Sequence, residues 1–386
     1  MSSSRPRVVI VQRYVTHYRV PLFERLREDL ASRGVDLDLV HGFPLAGGDL
    51  AKQDTTTLPW AKTVRNRWVG VGSARLLWQP AIPHVGDAAL VIVEQASSRL
   101  LNYRLFLRHL AGRTRLAFWG HGKNFKGDQA SSLGELVKRV MSRRVHWWFA
   151  YNRLSAQVVA ELGYPEDRIT DVQNAVDTVA LLRALRDLST EDVVAVRREL
   201  DLPARHVAVY VGGMYPEKRL PFLLDAARLV REAVPDFALI MIGAGQDVGL
   251  VRAAAAAHTW IHYLGPLPGT EKVPYMAVAD LMLMPGLVGL AILDSFALHT
   301  PIVTTADAPH SPEIDYLDDG RNGVMLPAGA TPERYAQEVV GLLTDDEALG
   351  DLREGCRKSV ARYTIEEMAA RFAGGIVAAL EAPLRR

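Results

Sequence analysis

One cysteine, Cys356, stands in 386 residues, so no disulfide can form within the chain. That excludes a disulfide framework and fits a reducing compartment, with Cys356 read as a structural thiol near the end of a helical pattern. Neither sign of charge is in excess. The 45 Lys and Arg face 44 Asp and Glu, a formal net charge of +1, and whole-chain electrostatics give no pull toward nucleic acid. No apolar run suits a membrane span: the most apolar stretch, Leu281–Leu298, is interrupted by Pro285, Gly286 and Gly289 and carries Asp294. No secretory leader is read before the short apolar strand Val8–Val11, and a cytoplasmic location, at the inner face of a membrane or free of it, is expected. No His and Cys cluster at ligand spacing, so no metal and no cofactor are expected.

What is present is an ordinary globular balance, 49% hydrophobic and 23% charged, over a length that suits two domains. Apolar runs alternate with amphipathic helical patterns throughout. In the first half the strands are Val8–Val11, Asp36–His41, Leu90–Val93, Leu116–Trp119 and Trp147–Ala150. The helices between them are Pro21–Ser32, Ser98–Leu110, Leu133–Val145 and Ala156–Leu162. The rhythm restarts at Val207–Val211 and runs through strands Ala238–Ile242, Trp260–Leu264, Leu281–Met284 and Ile302–Thr304. Continuous apolar strands between helices indicate parallel sheets buried on both faces. The fold class expected is α/β, two doubly wound Rossmann-like domains facing across a cleft. The boundaries are 1–180 and 181–364, with a last helix over 365–386 packing back on the first domain. In such sheets ligands sit beyond the carboxyl ends of the strands.

Two segments about seventy residues apart carry the chemistry. In the first, strand Val207–Val211 runs into Gly212-Gly213 and then Lys218. The glycines allow a tight turn and close approach to a ligand, and Lys218 offers a mobile cation to a phosphate. A plain turn with a solvated lysine is the alternative. Arg219 would be a second cation or a solvated helix-start residue. In the second segment, Gly286, Leu287, Val288, Gly289 and Leu290 form a loop opening a helix whose positive end can receive a diphosphate. Asp294, one turn on and off the buried stripe, can accept hydrogen bonds from ribose hydroxyls, or it simply favours the helix dipole.

Together these residues resemble the nucleotide-sugar half of family-4 retaining glycosyltransferases of the GT-B fold. The resemblance rests on Val211-Gly212 with Lys218, and on Leu293-Asp294 with Ala297 and Pro301. Asn174-Ala175-Val176-Asp177, Ile242-Gly243-Ala244-Gly245, Tyr263-Leu264-Gly265 and Pro312-Glu313-Ile314 with Gly320 and Gly323 support it. It spans roughly residues 170 to 330. Three positions depart. Gly213 stands where the family usually has Arg, Gly286 where it has the first of two acids, and His299 where it has Gly. The resemblance implies donor contacts at Gly212, Gly213, Lys218, Arg219, Gly243, Leu264, Gly286, Leu287, Val288, Gly289, Leu290 and Asp294. Amides around Leu287–Leu290 would stand in for the missing acid.

The N-terminal half offers acceptor candidates. Thr16, His17 and Arg19 lie in the first strand-to-helix loop, where His17 is otherwise a surface histidine. Glu94 follows a strand and could orient a hydroxyl. Glycines flank His121 in Gly120-His121-Gly122, which exposes a side chain able to donate or accept hydrogen bonds near neutral pH. The resemblance makes His121, with Lys218, the catalytic candidate; a structural histidine is the other reading. Lys138-Arg139, Arg143-Arg144 and Trp147-Trp148 read as a solvated helix face and a buried strand, or as a surface for an anionic membrane or a lipid-linked acceptor. The function expected is transfer of a sugar from a UDP-, GDP- or dTDP-linked donor to a sugar, lipid-linked or small-molecule acceptor, with retention and without a metal. A sugar-nucleotide epimerase on the same fold and a non-catalytic binding partner are the alternatives.

Overall fold

The computed structural model describes residues 5–43, 55–71, 74–122, 139–202 and 205–385. Contacts divide the chain into Met1–Asn174 with Ile365–Arg386, and Ala175–Thr364. The division thus falls after Asn174, six residues before the sequence boundary at 180.

The N-terminal unit is built on a seven-stranded parallel sheet. Its order is Ile169–Asp171, Trp147–Ala150, Arg115–Gly120, Leu90–Glu94, Arg7–Gln12, Asp36–His41, Lys62–Thr63. Arg7–Gln12 is an interior strand, with Val8 paired to both Leu37 and Leu90. Val8, Val9 and Ile10 are fully buried, which is why this strand is an unbroken apolar run and not an alternating one. An antiparallel hairpin, Arg67–Val71 with Ala74–Trp78, is added to this frame. Its charged and aromatic residues give no clean alternation, so the sequence reading passed over it. Of the helix expected over Leu133–Val145, residues 139–144 are helical and Val145 lies just past the helix end; residues 133–138, like Lys123 and Asn124, lie outside the described residues.

The final helix, Ile365–Glu381, packs on this first unit, against helix Val20–Ser32 and strand Ile169–Asp171. Its apolar stripe buries Met368, Phe372 and Ile376. The Phe372 ring lies 4.5 Å from that of Phe149 and 5.0 Å from that of Trp119. Burying one such side chain contributes about 2–3 kcal/mol. A Cβ on Gly375 would stand 2.3 Å from Thr170 Oγ1, so the helix can lie this close to the sheet only with glycine there.

The C-terminal unit carries a six-stranded parallel sheet. Its order is Ile261–Gly265, Ala238–Ile242, Val207–Val211, Leu281–Leu283, Ile302–Thr305, Gly323–Leu326. Every residue of Val207–Val211 and Ala238–Ile242 is buried. Two helices, Thr178–Asp187 and Thr190–Glu199, lead into it. Asp177 and Ser189 cap them by accepting from the amides of Ala180 and Asp192, the second in a reciprocal capping box. Among the described residues no helix is long and apolar enough to cross a membrane.

Candidate nucleotide-sugar site

At the carboxyl end of Val207–Val211 the chain passes Gly212 and Gly213 into a short 3-10 turn, Pro216–Lys218. The Lys218 side chain does not project into water. Only 4% of the residue is exposed, and Nζ donates to the Leu287 carbonyl at 2.5 Å. Had Gly212 a Cβ, it would lie 3.6 Å from that Nζ. Lys218 therefore joins the two glycine loops that the sequence marks, and the solvated-lysine reading is set aside.

Backbone contacts explain why glycine stands at 286. A Cβ there would fall 2.3 Å from the Lys218 carbonyl carbon and 2.5 Å from the Glu217 oxygen. The loop is pressed on the Pro216–Lys218 turn, and the Leu287 amide donates to the Glu217 carbonyl at 2.8 Å. At Gly213 a Cβ would lie 2.5 Å from the Tyr215 ring, so that ring takes the space an arginine would need. Gly243 lets the neighbouring loop approach: its Cβ would lie 1.9 Å from the Gly212 oxygen. These are packing roles, whatever ligand the loops hold.

The amides expected to face a ligand are fewer than the sequence suggests. Gly212 donates to Ile242 O at 3.0 Å, Leu287 to Glu217 O, and Val288 to His310 Nδ1 at 3.1 Å. Among the described residues, no acceptor meets the amides of Gly213, Gly289 and Leu290. These three, with Lys218, are what the geometry leaves for an anion. The helix that follows, Ala291–Ala297, is only seven residues long, and Leu290 at its N-cap makes no side-chain capping hydrogen bond. Its dipole is correspondingly small.

Arg219 is drawn away from the role of second cation. It sits at φ +55°, and its guanidinium donates to Asp307 Oδ1 and Thr305 Oγ1, each at 3.0 Å, while covering the Phe222 ring. Its charge is already balanced by Asp307. Asp294 is 8% exposed and meets a partner that local sequence could not reveal: Lys272 Nζ donates to its Oδ2 at 2.7 Å. Among the described residues only that oxygen is engaged, which leaves Oδ1 for ligand hydroxyls. Leu264 is half-buried in the adjoining edge strand, whose Tyr263 hydroxyl donates to the Gly243 carbonyl at 3.0 Å.

His310 was also missed. It accepts from the Val288 amide at Nδ1 and donates from Nε2 to the Thr305 carbonyl at 2.6 Å. Those bonds fix a neutral tautomer, and burial, with the Lys218 cation nearby, holds its pKa below the ordinary value. His299, at the position where the resemblance places glycine, has φ +55°. The position still asks for left-handed backbone, and histidine meets it at a cost of about 1–2 kcal/mol.

In the N-terminal unit the candidates do not form one group. His17 is exposed and Thr16 half-buried in a two-residue edge strand. Arg19 is buried over the rings of Tyr18, Trp119 and Tyr151. His121 stacks on Tyr151 with ring centroids 4.1 Å apart. Burial, with the Arg19 cation beside it, pushes its pKa down to about 4, so it is neutral at pH 7 and does not titrate there as its residue type suggests. Glu94 cannot orient a hydroxyl freely: its Oε2 accepts from Arg99 at 3.0 Å and its Oε1 from the Arg13 amide at 3.4 Å.

Among the described residues no group of His, Cys, Asp and Glu could hold a metal. The single Asp-x-Asp of the sequence, Asp36 and Asp38, lies on a strand, where Asp38 pairs with Arg7 at 2.7 Å and Lys62 at 3.3 Å.

Residues 205–345 match the family model of the glycosyl transferases group 1, a segment that contains both loops, Lys218, Lys272 and Asp294. Over 136 residues the chain is 30% identical to a phosphatidyl-myo-inositol mannosyltransferase of Mycobacterium leprae, covering 34% of this chain and 35% of that protein. A D-inositol 3-phosphate glycosyltransferase of Corynebacterium urealyticum is 27% identical over 194 residues, 45% and 43% of the two lengths. The chain thus spans between a third and a half of the length of the curated relatives it matches. Structural similarity runs further. Anabaena Alr3699/HepE in complex with UDP-glucose superposes with a TM-score of 0.68 at 13% identity, over 96% of this chain and 99% of that one. A sucrose-phosphate synthase from Thermosynechococcus elongatus gives 0.68 at 14%, over 96% and 98%. The group 1 segment and these neighbours show the fold to be GT-B, with two Rossmann-like parallel-sheet domains.

Proposed function

We propose that this chain is a retaining, metal-independent glycosyltransferase of the family-4 kind. It would move a sugar from a nucleoside diphosphate sugar to an acceptor hydroxyl. The observation that carries the reading is Lys218, a buried cation inside a group 1 segment, tied to one glycine loop and lying against the other. When the bond from the sugar anomeric carbon to the diphosphate oxygen breaks, negative charge grows on the leaving diphosphate. Lys218 and the amides of Gly213, Gly289 and Leu290 would stabilise that charge, each well-placed donor supplying about 3–4 kcal/mol. The acceptor oxygen would bond to the anomeric carbon and its proton leave to the diphosphate or to water. Asp294 Oδ1 would hold ribose hydroxyls. His121, neutral at physiological pH, would act through hydrogen bonds and not as a proton donor of imidazolium kind.

UDP-linked donors come first, because structural neighbours hold UDP and UDP-glucose. Inositol-bearing compounds are the first acceptors to try, because the curated relatives are named for them. The test is a panel of UDP-, GDP- and dTDP-sugars, followed by thermal unfolding and by release of free nucleotide with and without acceptor. A midpoint that no nucleotide sugar raises would refute the reading. Gly213 and Gly286 favour a second one, a nucleotide-sugar-binding partner. A raised midpoint without donor consumption, under any acceptor, would decide for it.

A further inference from the structure

The N-terminal unit contains a shallow, open hollow at the carboxyl ends of strands Arg7–Gln12 and Leu90–Glu94. The added hairpin supplies one wall through Leu77, and Val11, Val93 and Leu101 make others apolar. Its charged lining is Arg13, Glu94 and Arg99, two guanidinium groups against one carboxylate.

The engagements of these groups are unequal. Arg99 Nη2 donates to Glu94 Oε2 at 3.0 Å, so those two charges cancel. The amide side chains are spent on the walls: Gln79 Nε2 donates to the Gln12 carbonyl at 2.8 Å, and Asn102 Nδ2 to the Glu94 carbonyl at 2.9 Å. Arg13 is different. It lies over the Tyr14 ring, 4.4 Å from its centroid, and 5.8 Å from the Trp68 ring, and Nη2 donates to the Tyr14 hydroxyl at 2.7 Å. Among the described residues no carboxylate lies within ion-pair distance of it. With one nitrogen bound to the Tyr14 hydroxyl, the guanidinium keeps further N–H donors for a planar or tetrahedral oxyanion. Apolar walls sharpen the field of a cation that no carboxylate pairs among the described residues.

We infer that this hollow binds an anionic group, a carboxylate or a phosphate, on the acceptor, with Arg13 as the recognising side chain. The word acceptor rests on the transferase reading above; the anion site itself does not. Glu94 is then a positioning residue that holds Arg99 and the Arg13 backbone.

The test uses the full chain without donor. Glucuronate and glucose 6-phosphate, with methyl glucoside as the neutral control, are titrated by calorimetry, and UDP is titrated separately. At least one acid should bind ten or more times more tightly than methyl glucoside, the two arms telling carboxylate from phosphate. Arg13→Gln should remove that preference while UDP affinity stays at the wild-type value, which also reports an intact fold. Arg13→Lys, which keeps charge without the fork, should retain part of it. Equal binding of acids and methyl glucoside, no binding of either acid, or undiminished preference in Arg13→Gln would overturn the inference. A wild-type chain that binds no UDP yet prefers the acids would instead remove the transferase reading and leave this site standing.

Discussion

The pair Lys272 and Asp294 offers the sharpest test of how the C-terminal unit is built. Their side chains are 13% and 11% exposed and meet at 2.7 Å. Asp294→Ala would strand a nearly buried ammonium. Removing one partner of a buried pair costs about 3–5 kcal/mol, because the survivor keeps its desolvation penalty without its counter-charge. Water can still reach this pair at its edge, so the lower end, about 3 kcal/mol, is the expected loss in urea unfolding. The same substitution removes the acceptor proposed for ribose hydroxyls. Hydrogen bonds to a charged group contribute about 1.5–3 kcal/mol, or roughly tenfold to a hundredfold in UDP affinity.

A loss in both assays could come from damage alone, so the decisive variant is the double one. Asp294→Ala with Lys272→Met removes both charges and leaves no stranded cation. Replacing both partners of such a pair by apolar groups is often neutral. Stability should therefore return to within about 1 kcal/mol of wild type, while UDP affinity stays low. If the double variant binds UDP as tightly as the parent, Asp294 holds Lys272 and no ribose. If it is no more stable than Asp294→Ala alone, the pair is not the reason for the first loss.

Three further outcomes are expected. Lys218→Ala should lower donor turnover by about a hundredfold to a thousandfold with the fold retained by circular dichroism, the loss of one preorganised donor; unchanged turnover would take Lys218 out of the site. Gly286→Ala places a methyl 2.3 Å from the Lys218 carbonyl carbon and should cost about 1–3 kcal/mol by thermal unfolding, with turnover falling as Lys218 is displaced; a parental midpoint would refute the close packing. His121 and His146 are each held at about 4 in the folded chain against an ordinary 6.5, through burial first and neighbouring cations after. The unfolded chain binds more protons between those values, so their stabilising share is complete above pH 6.5 and is lost as pH falls toward 4. The slope is at most about 1.4 kcal/mol per pH unit for each, and the urea midpoint at pH 7 should exceed that at pH 5; His121→Gln should flatten the difference.

The sheets were legible because parallel strands buried on both faces leave apolar runs with sharp ends. Asp36–His41, Trp147–Ala150, Val207–Val211 and Ala238–Ile242 have the bounds that the sequence suggests. The hairpin Arg67–Trp78 was not legible, since Arg67, Trp68 and Arg75 obey no period of two. Helices Thr178–Asp187 and Thr190–Glu199 were not legible, since they bury only Thr178 and Leu181 in the first and Val196 in the second and so carry no full apolar stripe. Within the site, the glycines and Lys218 announced themselves by following a strand. Lys272 and His310 did not: the first lies 22 residues from Asp294, the second 22 from Val288, and no local pattern ties such positions. What the sequence misjudged was how much of the loop was already spoken for. Backbone amides look available in any glycine-rich stretch until the acceptors at Glu217, Ile242 and His310 are placed beside them.

The two glycines that depart from the resemblance have a joint consequence. Arginine at 213 would add a cation, and an acid at 286 would add an anion, so losing both leaves the net charge of the loops unchanged. Each is closed off by a neighbour, Gly213 by the Tyr215 ring and Gly286 by the Lys218 backbone. The Lys218 ammonium lies 5.6 Å from the centroid of that same tyrosine. Tyr215 thus takes an arginine's space and lies beside the Lys218 cation. Restoring one departure without the other would unbalance the site. Gly286→Glu would place a carboxylate against the turn that carries Lys218 and draw that ammonium from the Leu287 carbonyl. Gly213→Arg would first have to expel Tyr215. The absence of both side chains is therefore better explained as one packing solution, in which Lys218 and three main-chain amides would carry the diphosphate of the proposed donor, than as two separate defects.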